Sequence, residues 1–225
     1  MSHPKSLHFQ QLFDLLPDIS EPLDSGREKL IQAAEIEFSQ KGYHGASVLT
    51  IAKIAGFKQP LLNYHFGNKE GIWRAVIEMA FIKSFYKWRD RLMELKDPDP
   101  LIQLRQVIDI FIDVHISNPQ VHTILLGEIA QPGPRLDWFV EKYMKPFHNY
   151  LDELITICTQ LKLIKPIPKA YGSIVLTSIL TAPVYTSPLI SRIYDEAEIE
   201  KASHSLPIEM WAKEVLLNGI LTERD

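Results

Sequence analysis

A single glycine, Gly56, separates two short apolar segments between Val48 and His65, and this feature most restricts how the chain can fold. Glycine adopts the positive φ of a tight turn without a steric penalty, and small residues let two helices cross closely. Small and apolar residues stand where such a pair would bury its seam: Ile51, Ala52, Ala55, Phe57 and Leu62. The segment therefore predicts two helices joined by a tight turn.

Apolar residues recur at helical spacing from Asp24 onward, whereas alternating strand patterns are absent, so we expect an all-α chain. Four helices begin or end at recognisable signals, which are Asp24 or Ser25, Gly42, Ser47, Pro60 and Asn68. The first should bury Leu30, Ala33, Ala34 and Phe38. The predicted helices are 24–41, 47–56, 59–66 and 68–96, followed by 99–117, 119–130, 134–161, 168–182 and 207–221.

The short third helix presents an unusual outward face. Leu62 and Phe66 are four residues apart and should face inward. Gln and Asn side chains pair bidentately with adenine in the DNA major groove, and Leu contacts the thymine methyl group. The pattern favours a helix that reads DNA, and its outward residues are Lys58, Gln59, Leu61, Asn63 and His65.

The charge distribution agrees with this interpretation although the chain is acidic overall, with a formal charge of −4. Residues 24–75 hold seven Lys or Arg and five Asp or Glu, which leaves +2. Phosphates respond to a local basic face more than to net charge. Lys53 and Arg74 are expected to belong to an ordinary solvated surface.

Residues 27–73 carry a specific set of marks, Ala33-Ala34, Phe38, Gly42-Tyr43, Ser47, Ile51-Ala52, Ala55-Gly56, Leu62, His65-Phe66 and Lys69-Glu70. With these marks the segment resembles the DNA-binding domain of the TetR family of transcriptional regulators. The resemblance covers about one-fifth of the chain. The C-terminal "WAKEVLLNGIL" is also similar to the last helix of many members, although this signal is weak alone.

The resemblance implies an N-terminal arm at 1–23, a three-helix domain with a helix-turn-helix at 24–75, and a larger helical effector-binding and dimerisation domain at 76–225. It implies a homodimer formed through the last two long helices. The residues expected to contact bases are Gln59, Pro60, Leu61 and Asn63. Those expected to contact phosphates are Ser47, Lys58, Tyr64, His65 and Lys69. Tyr64 and His65 have the alternative role of packing on the first helix.

Two positions depart from the family pattern. Ala46 stands where members usually carry Thr, which removes one hydroxyl that could bind a phosphate. Asn63 stands where members usually carry Tyr after the buried leucine. The departure at Asn63 affects how bases are read, not the fold.

The C-terminal part combines large aromatic rings with scattered polar groups, which can frame an apolar cavity with a few orienting hydrogen bonds. The candidate effector residues are Phe85, Trp88, Phe111, His115, His122, Trp138, Phe147, Thr177 and Thr181. His115, Asp113 and His122 do not have the spacing of a metal site. Catalytic spacings and Gly-rich phosphate loops are also missing, so we expect no enzyme, no metal and no cofactor.

Three further segments bear on location. Residues 171–191 carry no charge for 21 residues, the length of a membrane span, but Pro183, Pro188 and seven Ser or Thr favour a helix buried between others or at a subunit interface. One cysteine, Cys158, and the lack of a signal sequence suggest the cytoplasm, with the thiol inert and buried. The apolar stretch "LHFQQLF" in the arm is either a small helix or disordered.

Together these features predict a repressor that binds a near-palindromic DNA operator as a dimer, is released by a small-molecule effector, and does not enter a membrane. Two alternatives stay open. The first is an architectural DNA-binding protein without an effector, which would have a filled C-terminal core. The second is a helical carrier of lipophilic small molecules, which would not bind a specific DNA sequence.

Overall fold

The structure is a computed structural model that describes residues 25–93, 99–168, 171–205 and 207–221, with side chains described outside 82–93, 114 and 209. Within these ranges the regular elements are helices, which confirms the prediction of an all-α chain. The N-terminal arm and its "LHFQQLF" stretch lie outside the described residues, as does the predicted end of the fourth helix near Lys96.

The helices are α1 (Ser25–Gly45), α2 (Val48–Ile54), α3 (Gln59–Phe66), α4 (Lys69–Met93), α5 (Pro100–Ser117), α6 (Pro119–Ala130), α7 (Pro134–Phe139), α8 (Lys145–Gln160), α9 (Gly172–Ile193), α10 (Glu196–Ser205) and α11 (Ile208–Ile220). A π-helical turn, Val140–Met144, joins α7 to α8.

The described chain forms two contact units. The first comprises residues 25–90 and 118–138. In it α1 packs against α2, α3 and α6, and α2 packs against α3. The predicted stripe of α1 is confirmed, since Leu30, Ala33, Ala34 and Phe38 are all buried. Gly42 interrupts α1 with φ of 65° and ψ of 176°, so it has the positive φ expected of glycine but not the left-handed helical ψ of a C-terminal cap.

The second unit comprises residues 91–93, 99–117, 139–168, 171–205 and 207–221. Its central element is α9, which packs against α5, α8 and α11. Cys158 is buried in α8, as predicted, and burial raises the pKa of its thiol to about 11, with a smaller contribution from Asp99. The predicted boundary at residue 75/76 differs from this grouping, which places 118–138 with the N-terminal helices, and it stays a prediction.

Helix α9 is longer than the sequence predicted. It continues past residue 182 through Pro183 and Pro188 to Ile193. Each proline removes one helical hydrogen bond, at a cost of about 3 kcal/mol in an exposed helix. Burial of one face of α9 offsets this cost, since Leu176, Leu180 and Pro183 are buried in the unit.

The composition of α9 also satisfies the criteria for a membrane span. Among the described helices it alone combines sufficient length, 22 residues, with a sufficiently apolar composition, at a mean hydropathy of 1.5. Only 33% of the apolar stretch of α9 is buried within the chain. Helix α9 is therefore buried between other helices on one face, as predicted, whereas its opposite face is exposed.

Candidate nucleic-acid interface

The start of α2 is fixed by Ser47. This residue has extended backbone angles, φ −118° and ψ 126°, and its hydroxyl accepts a hydrogen bond from the Thr50 amide at 3.4 Å. Its own amide donates to Oε1 of the buried Glu37 at 3.2 Å. Ser47 therefore caps α2 as the sequence predicts, and it lies at a helix N-terminus that attracts anions.

The turn between α2 and α3 depends on Gly56, which has φ of 77°. The Gly56 amide donates to the Lys53 carbonyl at 3.2 Å, and the Phe57 amide donates to the Ala52 carbonyl at 2.9 Å. The seam is confirmed for Ile51, Ala52 and Leu62, which are buried. Its two remaining members, Ala55 and Phe57, are partly exposed.

Helix α3 turns a mainly polar face toward solvent. Lys58 precedes it with extended angles, and Pro60 lies in its first turn. Gln59, Pro60 and Asn63 are exposed, as expected of groove-reading residues, whereas Leu61 is partly buried. Leu61 is therefore less exposed than the sequence predicted.

Tyr64 and His65 differ in their surroundings. Tyr64 is 83% exposed, which contradicts the alternative that it packs on α1. His65 is partly buried, and its ring centroid lies 5.2 Å from that of Tyr64. Both alternatives for His65 therefore remain open.

Lys69 opens α4 and contacts the end of α1. Its Nζ donates to the His44 carbonyl at 3.2 Å and lies 4.9 Å from the centroid of the Tyr43 ring. Burial lowers the pKa of Lys69, Arg135 lowers it further, and Glu37 acts in the opposite direction. The amine lies in the first turn of α4, where the helix dipole also favours an anion.

The corner between α3 and α4 is tightly built. The Asn68 side chain accepts a hydrogen bond from the Gly71 amide at 2.9 Å, so Asn68 caps α4 as predicted. A Cβ atom on Gly71 would lie 1.9 Å from the Phe66 carbonyl oxygen. Sequence reasoning missed this requirement for glycine, because the close approach involves the end of another helix.

The candidate effector residues do not form one cluster. Phe111 lies with its ring centroid 4.0 Å from that of His115 and 5.5 Å from that of Phe147. Thr177 and Thr181 are buried in α9 and donate to carbonyl groups of their own helix.

His122 and Trp138 belong to the other contact unit. The side chains of Phe85 and Trp88 lie outside the described ones.

A separate open pocket of about 360 Å³ lies on the second unit. The pocket lies between α5 and α11, and an ion pair between Asp109 and Lys213 links these two helices. None of the candidate effector residues lines it. Its lining comprises Arg105, Met210, Lys213, Glu214, Leu217, Asn218 and Leu221.

Comparison with known proteins supports this account of the N-terminal helices. Residues 30–76 match the family described as bacterial regulatory proteins, tetR family. A relative, the HTH-type transcriptional repressor NicS of Pseudomonas putida, is 29% identical over 111 residues. The alignment covers 49% of this chain and 51% of NicS, so the chain spans about half the length of this curated relative.

Solved structures share the fold over more of the chain. HlyIIR, a hemolysin II transcriptional regulator, superposes with a TM-score of 0.58 at 22% identity, covering 74% of this chain and 91% of its own. AibR, solved in complex with isovaleryl coenzyme A and operator DNA, superposes with a TM-score of 0.60 at 20% identity, covering 72% and 86%. These likenesses show the fold alone. The match at residues 30–76, with the curated relatives that share this part of the chain, identifies the N-terminal helices as a domain of the tetR family of bacterial regulatory proteins.

Proposed function

We propose that the chain is a transcriptional repressor that binds a near-palindromic DNA operator as a homodimer and is released by a small-molecule effector. The observation that carries the proposal is the exposed pair Gln59 and Asn63, one turn apart on α3. The buried seam of α2 and α3 holds this helix, so its amide groups are presented on a rigid element. Two such helices of a dimer would enter successive major grooves about 34–36 Å apart.

Base reading is assigned to the amides of Gln59 and Asn63, with Pro60 and the partly buried Leu61 beside them. Each amide side chain can donate to and accept from adenine in the major groove. The phosphate contacts are Ser47, Lys58, Tyr64, His65 and Lys69. These groups lie at the starts of α2, α3 and α4 and along α3, and they orient the protein on the duplex without reading sequence.

The homodimer is supported by an exposed apolar face on α9. Ile174, Leu189 and Ile193 are 53%, 56% and 61% exposed, although α9 is packed on its other face. Trp211 and Val215 of α11 are 57% and 48% exposed. An apolar surface of this extent is typical of a protein interface, and a second copy of the same two helices would cover it.

Effector binding is proposed for the second unit. The adjoining rings of Phe111, His115 and Phe147 and the pocket beside Arg105 are the two places where a small molecule would contact that unit. The fold also occurs in AibR, solved with isovaleryl coenzyme A and operator DNA. An effector acts only through its different affinities for the DNA-binding and DNA-free shapes of the dimer.

Selection of duplexes from a random pool tests the proposal. The full chain should enrich a near-palindromic sequence, and Gln59→Ala and Asn63→Ala should each lose roughly 1–3 kcal/mol at one base position. Lys69→Ala is the control, because loss of a phosphate contact should weaken binding to every sequence alike and lower the salt dependence. Unchanged base preference in both amide variants would contradict the assignment of the readers.

The two alternatives make different predictions in the same experiment. A carrier of lipophilic molecules would enrich no sequence. An architectural DNA-binding protein would bind DNA, and no small molecule would change its affinity for the duplex. Release of the selected duplex by a compound from a small-molecule screen would therefore contradict both alternatives.

A further inference from the structure

A cluster of cations and aromatic rings surrounds Tyr43, beside the proposed phosphate-binding residues. The guanidinium carbon of Arg135 lies 3.5 Å from the centroid of the Tyr43 ring. The Tyr43 ring also stacks on Phe38, at 6.0 Å between centroids, and meets Trp73 edge to face at 6.4 Å. Since Lys69 contacts the same ring, residues of α1, α4 and α7 all meet at Tyr43.

Glu128 sets the direction of the Arg135 side chain. Nε of Arg135 donates to Oε1 of Glu128 at 3.0 Å, and Nη2 lies 3.0 Å from Oε2. The two side chains are only 16% and 5% exposed. One hydrogen bond and a second ionic contact at 3.0 Å restrain the guanidinium, and the buried carboxylate requires its cation. Arg135 is therefore held rigidly over Tyr43.

Tyr43 in turn stands where the chain leaves α1 for α2. It follows Gly42, whose positive φ redirects the backbone, and it precedes His44, whose carbonyl accepts the hydrogen bond from Lys69. The Ala46 amide donates to the Gly42 carbonyl at 3.2 Å, and Ser47 comes next. Tyr43 is therefore linked to Ser47 through the backbone and to Lys69 through its ring.

We propose that Arg135 is a positioning residue for DNA binding, which acts through Tyr43 and does not touch DNA. It holds the segment 42–47 and the amine of Lys69 in one arrangement, so that both phosphate contacts are in place before the duplex arrives. The proposal rests on the proposed function, because Ser47 and Lys69 contact phosphates only if the protein binds DNA. Preorganised contacts bind more tightly because less ordering accompanies association.

The test is the affinity of Arg135→Gln for the duplex selected by the wild-type protein, measured by fluorescence anisotropy over a range of salt concentrations. We expect affinity to fall roughly tenfold, the size of coupling seen between contacting residues. The slope of log affinity against log salt should fall by about one, because one phosphate contact is lost. Arg135→Lys keeps a cation near the ring and should restore part of the affinity.

Arg74→Gln is the matched control. Arg74 also lies over an aromatic ring, 4.9 Å from the centroid of Trp138, and it pairs with Glu70 at 2.6 Å. It belongs to the same contact unit as Arg135. This variant removes the same charge without disturbing Tyr43, so its affinity and salt slope should equal those of the wild type.

A second variant covers the case in which Arg135→Gln unfolds, since it leaves the Glu128 carboxylate buried without its cation. Glu128→Gln with Arg135→Gln removes both charges and should show the same loss of affinity while folded by circular dichroism. Equal losses in Arg135→Gln and Arg74→Gln would overturn the proposal, because charge alone would then explain them. Wild-type affinity in the folded double variant would also overturn it.

The route through Tyr43 is tested by a further combination. Tyr43→Leu should weaken DNA binding, and adding Arg135→Gln should weaken it no further. Additive losses would overturn the proposal, because Arg135 would then act independently of the ring. A wild-type protein that selects no duplex would contradict the proposed function. A wild-type protein that binds DNA no more tightly than the Arg135→Gln variant would instead contradict only the positioning role of Arg135.

Discussion

Glu37 is a fully buried carboxylate whose partners connect α1 to the start of α2. Its Oε1 accepts from Lys41 Nζ at 2.9 Å and from the Ser47 amide at 3.2 Å. We expect Glu37→Ala to lower the free energy of unfolding by about 1–3 kcal/mol, because the Ser47 amide loses its acceptor. Urea denaturation followed by circular dichroism measures the loss.

Lys41 provides the control for Glu37. Its side chain is 49% exposed, so solvent screens its ion pair, and Lys41→Met should change the free energy of unfolding by less than about 1 kcal/mol. Glu37→Gln keeps one acceptor oxygen and should lie between the two. Equal effects of Glu37→Ala and Lys41→Met would show that the ion pair, and not the amide contact, is the stabilising interaction.

His148 predicts part of the pH dependence of stability. It is 8% exposed, and neither ring nitrogen has a hydrogen-bond partner among the described residues. Burial lowers its pKa, and Asp152 opposes this with a smaller effect. The unfolded chain therefore binds the proton first as the pH falls, and the stability present above the ordinary histidine pKa of about 6.5 is lost below it.

The variant His148→Gln isolates this contribution. Between pH 7.5 and 5.5 the wild type should lose more free energy of unfolding than the variant, by at most about 1.4 kcal/mol per pH unit. The exposed His204 on α10 gives a control, since His204→Gln should leave the difference as it is in the wild type. Equal pH dependence of the wild type and His148→Gln would show that His148 does not titrate differently on folding.

Two glycines within helices, Gly71 and Gly127, differ in the space that surrounds an added Cβ atom. At Gly71 an added Cβ meets the Phe66 carbonyl oxygen at 1.9 Å, whereas at Gly127 in α6 it meets nothing within 4 Å. We expect Gly71→Ala to destabilise by roughly 1–3 kcal/mol, and Gly127→Ala to stabilise by up to about 1 kcal/mol. Thermal unfolding of both variants checks the sign. Stabilisation by Gly71→Ala would show that the corner of α3 and α4 can relax.

The elements that the sequence predicts well are those with local signals. Ser47 caps α2, Gly42 ends the regular part of α1, and Pro60 opens α3, and in each case the cause lies within a few residues of the helix end. Helix α10 also has such a signal, although the predicted helices do not include it. Asp195 and Glu198 each accept the other's backbone amide, at 2.8 and 3.2 Å.

Other features depend on contacts between distant residues and could not be predicted locally. The path of α9 through Pro183 and Pro188 follows from its packing against α5, α8 and α11. Arg135 reaches Tyr43 from a segment that carries no motif, and the pairing with Glu128 involves a separate helix. Residue type alone defines the candidate effector residues, so they are spread over both contact units.

At the scale of the whole molecule, DNA affinity and self-association are expected to be linked. A single α3 presents few base contacts, whereas two copies joined rigidly bind the second half-site as an intramolecular event. A monomeric variant with an intact first unit should therefore bind one half-site weakly and lack the additional affinity that comes from binding the second half-site.

A substitution on the exposed face of α9 should produce this monomeric variant. Leu189→Glu places a charge within the proposed dimer interface, where it would be buried without a partner, and should convert the dimer to a monomer in sedimentation. Affinity for the full operator should fall by roughly 10²-fold or more, while affinity for a half-site stays unchanged. Ile129→Glu is the control, because Ile129 is similarly exposed, at 57%, but lies on α6 in the other contact unit. A wild-type chain that sediments as a monomer without detergent would contradict the dimer, and a wild-type chain that stays in solution only with detergent would instead favour a lipid-covered α9.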